Sequence, residues 1–367
     1  MTMTIMLSTI AAFVVLLPLA LGMPAPRFDA LRRAGIVVAV VMAIAGEAAD
    51  AGVVASTAVV VTLVLHGLGA QTRDGRLWLG LAAAAAAVVV IASVLGRPDV
   101  AFVASLGSIA LRAGVVPLHP GVFGIAERQP GLLIELFGSA IAAVIVHLHV
   151  VAGAGQLPSD IAVPLVAWGA VATIVGALLA LVQQSLRGLW AASVGMHAGM
   201  LFAATAAAGR GHGVAAVLVV VTLALAMAGF GFVVAALEAR VGRVLLSGPG
   251  GRVKAFPTLA AAFAFFAGAG VGLPGTAGFI ADDLLLHALW EEGPVAAGVV
   301  VVASATLAVS LLRGYGAVFL GPTATRHMAR DLDLKERVVI AVLLVALVVI
   351  GIVPMLLVGP AEAILGR

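Results

Sequence analysis

The sequence predicts an all-α polytopic membrane protein with about twelve transmembrane helices, at about 20 apolar residues per crossing. Hydrophobic residues make up 63% of the 367-residue chain and charged residues only 10%, which leaves too little polar surface to cover a soluble domain. Apolar runs long enough to cross a bilayer recur from end to end. These runs are continuous rather than alternating, which excludes a β-barrel and favours helices.

The apolar runs predict spans near residues 4–22, 33–49, 51–69, 77–95, 99–116, 130–152, 161–182, 187–208, 213–237, 255–290, 295–318 and 337–358. Glu47 and Asp50 interrupt the second span, and the tenth is too long for one straight helix. Arginine and lysine collect in the loops on one side of this arrangement. The positive-inside rule predicts that this side faces the cytoplasm, with both termini outside a cell inner (cytoplasmic) membrane.

Two of the predicted spans carry helix-breaking residues. Pro117 ends the fifth span, with His119 just beyond it, and Pro274 and Gly275 lie inside the tenth. Proline removes a backbone donor and clashes with the preceding turn, so both helices are expected to break. The breaks lie five spans apart, a spacing that implies inverted repeats, and paired broken helices in such repeats are typical of ion-handling transporters. Ordinary proline kinks are the alternative.

Ionisable side chains are costly inside a membrane, so each one is a candidate functional group. The candidates for a proton path are Arg112, Glu135, His147, His197, Asp282, Asp283 and His287. Arg112 cannot release a proton, but it can fix a carboxylate or orient water. An arginine that extends to the membrane surface from a helix end is the alternative for this position.

The histidines and aspartates differ in what their positions predict. Asp282 follows Pro274 by two turns, where the break is expected to admit water. Asp283 and His287 share one helix face and can share a proton, unless they lie at the aqueous end of the helix. His197 is also consistent with a packing histidine bonded to a backbone carbonyl. His147 and His149 point to different faces, so at most one of them is expected to be functional.

Several activities are excluded by what the sequence lacks. It contains no cysteine, and therefore no disulfide, thiolate metal site or cysteine nucleophile. It carries no phosphate-binding loop, dinucleotide fingerprint or zinc-protease motif. We therefore expect no cofactor, no metal and no catalysis by this chain alone. The basic residues occur singly in short loops, which does not suggest nucleic-acid binding.

Three segments resemble one family when they are considered together. Arg112-Ala-Gly-Val-Val-Pro-Leu-His119 is similar to Lys-Ala-x-x-x-Pro-Phe-His, and Gly272-Leu-Pro-Gly-Thr-Ala-Gly-Phe-Ile-Ala-Asp282 to Gly-Leu-Pro-x-x-Gly-Phe followed by a charged residue. Residues 180–199 resemble a Gln-x-Asp-Leu-Lys-Arg-x-x-Ala-Tyr-Ser segment, and 313–321 fits the next helix. These are motifs of the antiporter-like subunits of respiratory complex I, membrane-bound hydrogenases and Mrp cation/proton antiporters.

This resemblance, which extends over about residues 99–322, implies two inverted five-helix repeats, each with a broken helix. The first repeat would cover residues 33–152 and the second 161–322, flanked by one span in 1–32 and another in 323–367. The implied function is a proton-conducting or proton-coupled subunit of a larger membrane complex. Its expected partners are other membrane subunits, the lipid bilayer and protons, with Na+ as an alternative ion.

The chain departs from the family at its charged positions. Arg112 stands where the family has a lysine that exchanges protons, a role that arginine cannot take. Ser185 replaces an acidic residue, and Glu135 and His147 are the ionisable groups nearest to the family's central position. Asp282 keeps an ionisable group. Two alternatives therefore remain: a non-pumping structural or coupling subunit, and a subunit that energises uptake of a solute such as inorganic carbon with a soluble partner.

Overall fold

The structure is a computed structural model, and it describes residues 73–128, 159–207, 213–322 and 330–359. Within these ranges the regular elements are α-helices, together with an isolated bridge between Ser185 and Leu245. The prediction of an all-α protein is confirmed for this part of the chain.

Ten helices follow one another in the described ranges. They are α1 Arg73–Val94, α2 Pro98–Ala113, α3 His119–Arg128, α4 Ser159–Val182, α5 Leu186–Ala207, α6 Gly213–Val241, α7 Pro257–Ala269, α8 Ala277–Glu292, α9 Pro294–Phe319 and α10 Leu334–Ile352. Five of these are long and apolar enough to cross a bilayer, namely α1, α4, α5, α6 and α9. This part of the chain is therefore a polytopic membrane protein.

Helix α5 lies at the centre of the described bundle. All of its side chains are buried, and α2, α3, α4, α6, α8 and α9 pack against it. Its approach to α4 is close because both helices carry glycines: a Cβ added to Gly199 would lie 2.6 Å from the amide nitrogen of Thr173. Small residues allow the two backbones to approach this closely. In lipid, where the hydrophobic effect does not drive helices together, such close packing contributes to helix association.

The chain is interrupted between α2 and α3, and we call residues 114–118 the first break. Helix α2 ends where Gly114 adopts a left-handed conformation (φ +71°), and its amide donates to the carbonyl of Ala110. Glycine adopts this geometry without a Cβ penalty, which explains the position of the helix end. Pro117 follows on a cis peptide bond, and a new helix begins at His119.

A second interruption separates α7 from α8, and we call residues 270–276 the second break. Gly272 and Gly275 both have positive φ values, +78° and +82°, with Pro274 between them. The turn is closed locally: the Thr276 hydroxyl and amide both donate to the carbonyl of Leu273, at 2.7 and 3.1 Å. Thr276 then serves as the N-cap residue of α8.

The final helix, α10, is anchored at its start. Asp333 and Glu336 form a reciprocal capping box at its N-terminus, in which each side chain accepts from the other residue's amide. The Glu336 carboxylate also accepts two hydrogen bonds from the guanidinium of Arg240, at the end of α6. Helix α10 packs against α6, α7 and α8, so it lies beside the second break.

Candidate functional site

Asp282 lies in the second turn of α8 and faces back toward the second break. Its side chain is half-buried. A Cβ added to Gly272 would lie 2.9 Å from the Oδ2 atom of Asp282, so the carboxylate rests against this glycine. No described residue donates a hydrogen bond to the carboxylate.

His197 is the second ionisable group at this break. It is 1% exposed, in the middle of α5. Its Nδ1 atom lies 2.7 Å from the carbonyl oxygen of Ser193, and its Nε2 atom lies 2.7 Å from the carbonyl oxygen of Gly270. Carbonyl oxygens only accept, whereas a neutral imidazole carries one N–H. The neutral ring can therefore satisfy one carbonyl at a time, and only the imidazolium satisfies both.

Helix α5 contacts the first break as well as the second. A Cβ added to Gly195 would lie 2.9 Å from the carbonyl oxygen of Gly114, so the backbones touch there. Gly195 and His197 are two residues apart. One short stretch of one buried helix therefore touches both interruptions of the fold.

Arg112 lies in the last turn of α2, two residues before Gly114. Its side chain is 1% exposed. The indole Nε1 of Trp168 on α4 donates to the carbonyl of Val116 in the first break, at 2.8 Å. His119 begins α3, half-buried against the ring of Phe123. The first break is thus bordered by a fixed cation and a tryptophan donor.

Asp283 and His287 lie on a different face of α8 from Asp282. Their side chains are 57% and 76% exposed, and His287 Nδ1 lies 3.7 Å from Asp283 Oδ1. His287 Nδ1 also lies 2.9 Å from the Asp283 carbonyl oxygen. Trp290, one turn on, is 66% exposed, which suits a residue at a membrane interface. This pair is separate from the break that Asp282 and His197 share.

Two of the predicted path residues, Glu135 and His147, lie outside the described residues, as do Glu47, Asp50 and His149. Among the described side chains there is no group of three or more histidine, cysteine, aspartate or glutamate residues that could hold a metal ion. Among the described candidate residues, Asp282 and His197 therefore lie at the second break and Arg112 lies at the first.

A polar cluster at one end of the bundle was not predicted from the sequence. Arg187 Nε donates to Glu238 Oε2 at 2.5 Å, and both side chains are less than 10% exposed. Arg187 Nη1 donates to the Glu127 carbonyl oxygen at 2.9 Å, and the Glu127 carboxylate accepts from Ser185 and Arg243. We call these five residues the end cluster. The sequence feature that could have predicted this cluster is the presence of an acidic residue near arginines at the ends of two apolar runs.

The geometry defines a class of protein: a polytopic helical membrane protein in which two interrupted helices meet one central buried helix. The chain belongs to the family described as NADH:quinone oxidoreductase/Mrp antiporter, TM, which matches residues 100–308. The resemblance inferred from the motifs is therefore confirmed.

Curated relatives agree with this assignment. The chain is 25% identical over 257 residues to NADH-quinone oxidoreductase subunit M of Rickettsia conorii, covering 67% of this chain and 51% of the relative. It is 31% identical over 185 residues to subunit M of Mycobacterium tuberculosis, covering 50% and 34%. The chain spans about half the length of the first of these relatives.

Solved structures share the fold. The structure of the Mrp complex from Dietzia sp. DQ12-45-1b gives a TM-score of 0.76 at 18% identity, covering 100% of this chain and 83% of that one. Respiratory complex I from Thermus thermophilus with bound NADH gives 0.77 at 17% identity, covering 98% and 83%. At these identities the likeness shows the fold alone.

Proposed function

We propose that this chain is a proton-conducting, antiporter-like subunit of a larger membrane complex. The observation that carries the proposal is the contact of both breaks with one buried helix, with the Asp282 carboxylate resting against Gly272 at the second. An acid at an interrupted helix is a group that can bind and release a proton where backbone and water meet.

The proposed path at the second break runs between Asp282 and His197. These side chains contact Gly272 and Gly270 respectively, and two residues of extended chain span at most about 7 Å. That length separates the two glycines, and water molecules in the break would link the carboxylate to the imidazole ring. A carbonyl oxygen can neither give nor take up a proton. In this proposal one ring nitrogen of His197 therefore leaves its carbonyl oxygen and turns to water to take up or release a proton.

Arg112 has a different role in this proposal. Its guanidinium stays charged, so it orients water and anionic groups at the first break without carrying a proton. Glu135 and His147 would continue the path between the two breaks, and Asp283 with His287 would connect it to the surface. These assignments follow from the sequence pattern, with the exposed position of the last pair in support.

We further propose the complete architecture that the sequence predicts. It has about twelve spans, at about 20 residues each, with inverted repeats over residues 33–152 and 161–322 and flanking spans in 1–32 and 323–367. Both termini would lie outside the inner membrane, because the loops with most arginines face the cytoplasm. The separation of the two breaks along the chain supports the repeats.

The proposed partners are other membrane subunits. NADH-quinone oxidoreductase subunit M and the Mrp complex structure are named as parts of multisubunit assemblies. The transported ion would be the proton, with Na+ as an alternative, since the described acids do not select between them. No cofactor is proposed for this chain.

The proposal is tested by proton flux into vesicles that contain the full-length chain, followed with an enclosed pH-sensitive dye under an imposed potential. We expect flux above that of empty vesicles, its loss in Asp282→Asn, and wild-type flux in the control Asp99→Asn, since Asp99 is an exposed acid in the first turn of α2. Wild-type flux in Asp282→Asn would overturn the role of Asp282. No flux in the wild type would overturn proton conduction.

One observation favours a second candidate, a coupling subunit that keeps the fold but does not conduct. Arg112 places a permanent charge at the first break, where the family has a lysine that can exchange its proton. This candidate predicts that Arg112→Lys impairs assembly with partner subunits and leaves the vesicles without flux. Normal assembly together with altered flux would contradict it.

A further inference from the structure

The last helix, α10, makes a close backbone contact with the second break. A Cβ added to Gly351 would lie 2.5 Å from the Cα atom of Thr276 and 2.6 Å from the carbonyl oxygen of Gly275. Real side chains do not approach backbone atoms this closely, so only glycine fits at this position without displacing the break. Gly351 is one residue from the end of α10.

The other end of α10 is connected to the start of the same broken span. The Asp331 carboxylate accepts hydrogen bonds from the amides of Thr258 and Leu259, at 2.6 and 3.2 Å. These amides belong to the first turn of α7, which otherwise has no intrahelical acceptors for them. A carboxylate there also stabilises the positive end of the helix dipole.

The lengths of the two helices agree with these two attachments. From Leu334 to Gly351 is about 26 Å at 1.5 Å per residue. Helix α7, Pro257–Ala269, extends about 18 Å on the same basis. Helix α10 is thus longer than α7, and its additional length reaches beyond Ala269 to the turn of residues 270–276. The ion pair between Arg240 and Glu336 fixes the start of α10 to α6.

We propose that α10 holds the second break in place, and that Gly351 is a positioning residue for Asp282. The contact acts on Thr276, which is 1% exposed and is the N-cap of α8. Asp282 lies six residues further on the same helix, against Gly272 in the same break. A displacement of Thr276 therefore moves the carboxylate relative to the break. The functional part of this inference rests on the proposed proton conduction.

The test uses the absence of cysteine from the natural chain. Leu273→Cys places one thiol in the second break, at a side chain that is 39% exposed, and its reaction rate with a membrane-impermeant maleimide reports the geometry of the break. The rate is compared with and without Gly351→Ala. The matched control is Gly316→Ala, a partly buried helical glycine with open space around its Cβ position.

We expect Gly351→Ala to change the labelling rate and to shift the pH profile of proton flux, while Gly316→Ala changes neither. Asp331→Asn, which adds no atoms to the interface, is measured in parallel and should change the labelling rate in the same direction. Unchanged labelling in both Gly351→Ala and Asp331→Asn overturns the positioning role. Labelling does not require flux, so a wild type without flux would contradict only the proposed function.

Discussion

The buried ion pair of the end cluster gives a prediction whose magnitude follows from the structure. Glu238 Oε2 accepts from Arg187 Nε at 2.5 Å, and Glu238 Oε1 accepts from the amide of Val244 at 3.1 Å. Glu238→Ala removes both bonds and leaves the Arg187 charge buried without this carboxylate. Breaking a buried pair in this way costs about 3–5 kcal/mol of folding free energy.

A second variant separates the pair from its individual members. Replacing Arg187 and Glu238 together by leucine removes both charges, so no uncompensated charge remains buried. Substitution of a whole buried pair by apolar side chains is often close to neutral. We therefore expect the double variant to be more stable than Glu238→Ala, which is the coupling expected for residues in contact.

The matched control is the pair formed by Arg97, the N-cap residue of α2, and Asp99 in its first turn. Its Nη2–Oδ2 distance is 2.9 Å, but its side chains are 62% and 60% exposed. Because water screens an exposed pair, Asp99→Ala should leave stability unchanged. The two pairs thus differ mainly in burial.

The assay is thermal unfolding of the purified protein in one detergent, monitored by intrinsic fluorescence. One kcal/mol corresponds to about 2–4 °C for chains of ~150–250 residues, so Glu238→Ala should lower Tm by several degrees. The account of the end cluster would be refuted by a decrease no larger than that of Asp99→Ala, or by a double variant as unstable as Glu238→Ala.

Two further predictions concern the central packing. Trp168→Phe removes the indole donor to the Val116 carbonyl, a part-buried hydrogen bond, and should cost about 0.5–1.5 kcal/mol, the net contribution of a typical hydrogen bond; an unchanged Tm would contradict it. Gly199→Leu should abolish the folded monomer in size-exclusion chromatography, because a side chain would meet the backbone at Thr173. Gly107→Ala, where nothing lies near the added Cβ, should elute like the wild type.

Much of the fold was predictable because lipid restricts the choice of structure. The backbone groups of an apolar run in a bilayer must form hydrogen bonds within the run itself. The bounds of the run are therefore close to the bounds of the helix. The predicted span 161–182 corresponds to Ser159–Val182, and 187–208 to Leu186–Ala207. The ends of α2 and α7 likewise lie beside glycines and prolines visible in the sequence.

The arrangement of the site was less predictable, because it depends on which helices pack together. Nothing local to His197 indicates that its ring bonds to Gly270, 73 residues away. The pairing of Arg187 with Glu238 is equally remote, 51 residues apart. Gly351 resembles any other glycine in an apolar helix until its contact with Thr276 is known.

The central claim is that the acid at the second break carries protons, and a side-chain rescue tests it most directly. Proton flux is measured in vesicles that contain equal amounts of wild type, Asp282→Asn or Asp282→Glu. The account predicts that the amide variant has the flux of empty vesicles and that the glutamate variant recovers flux, because it restores an exchangeable proton. Equal flux in the wild type and Asp282→Asn would contradict the account.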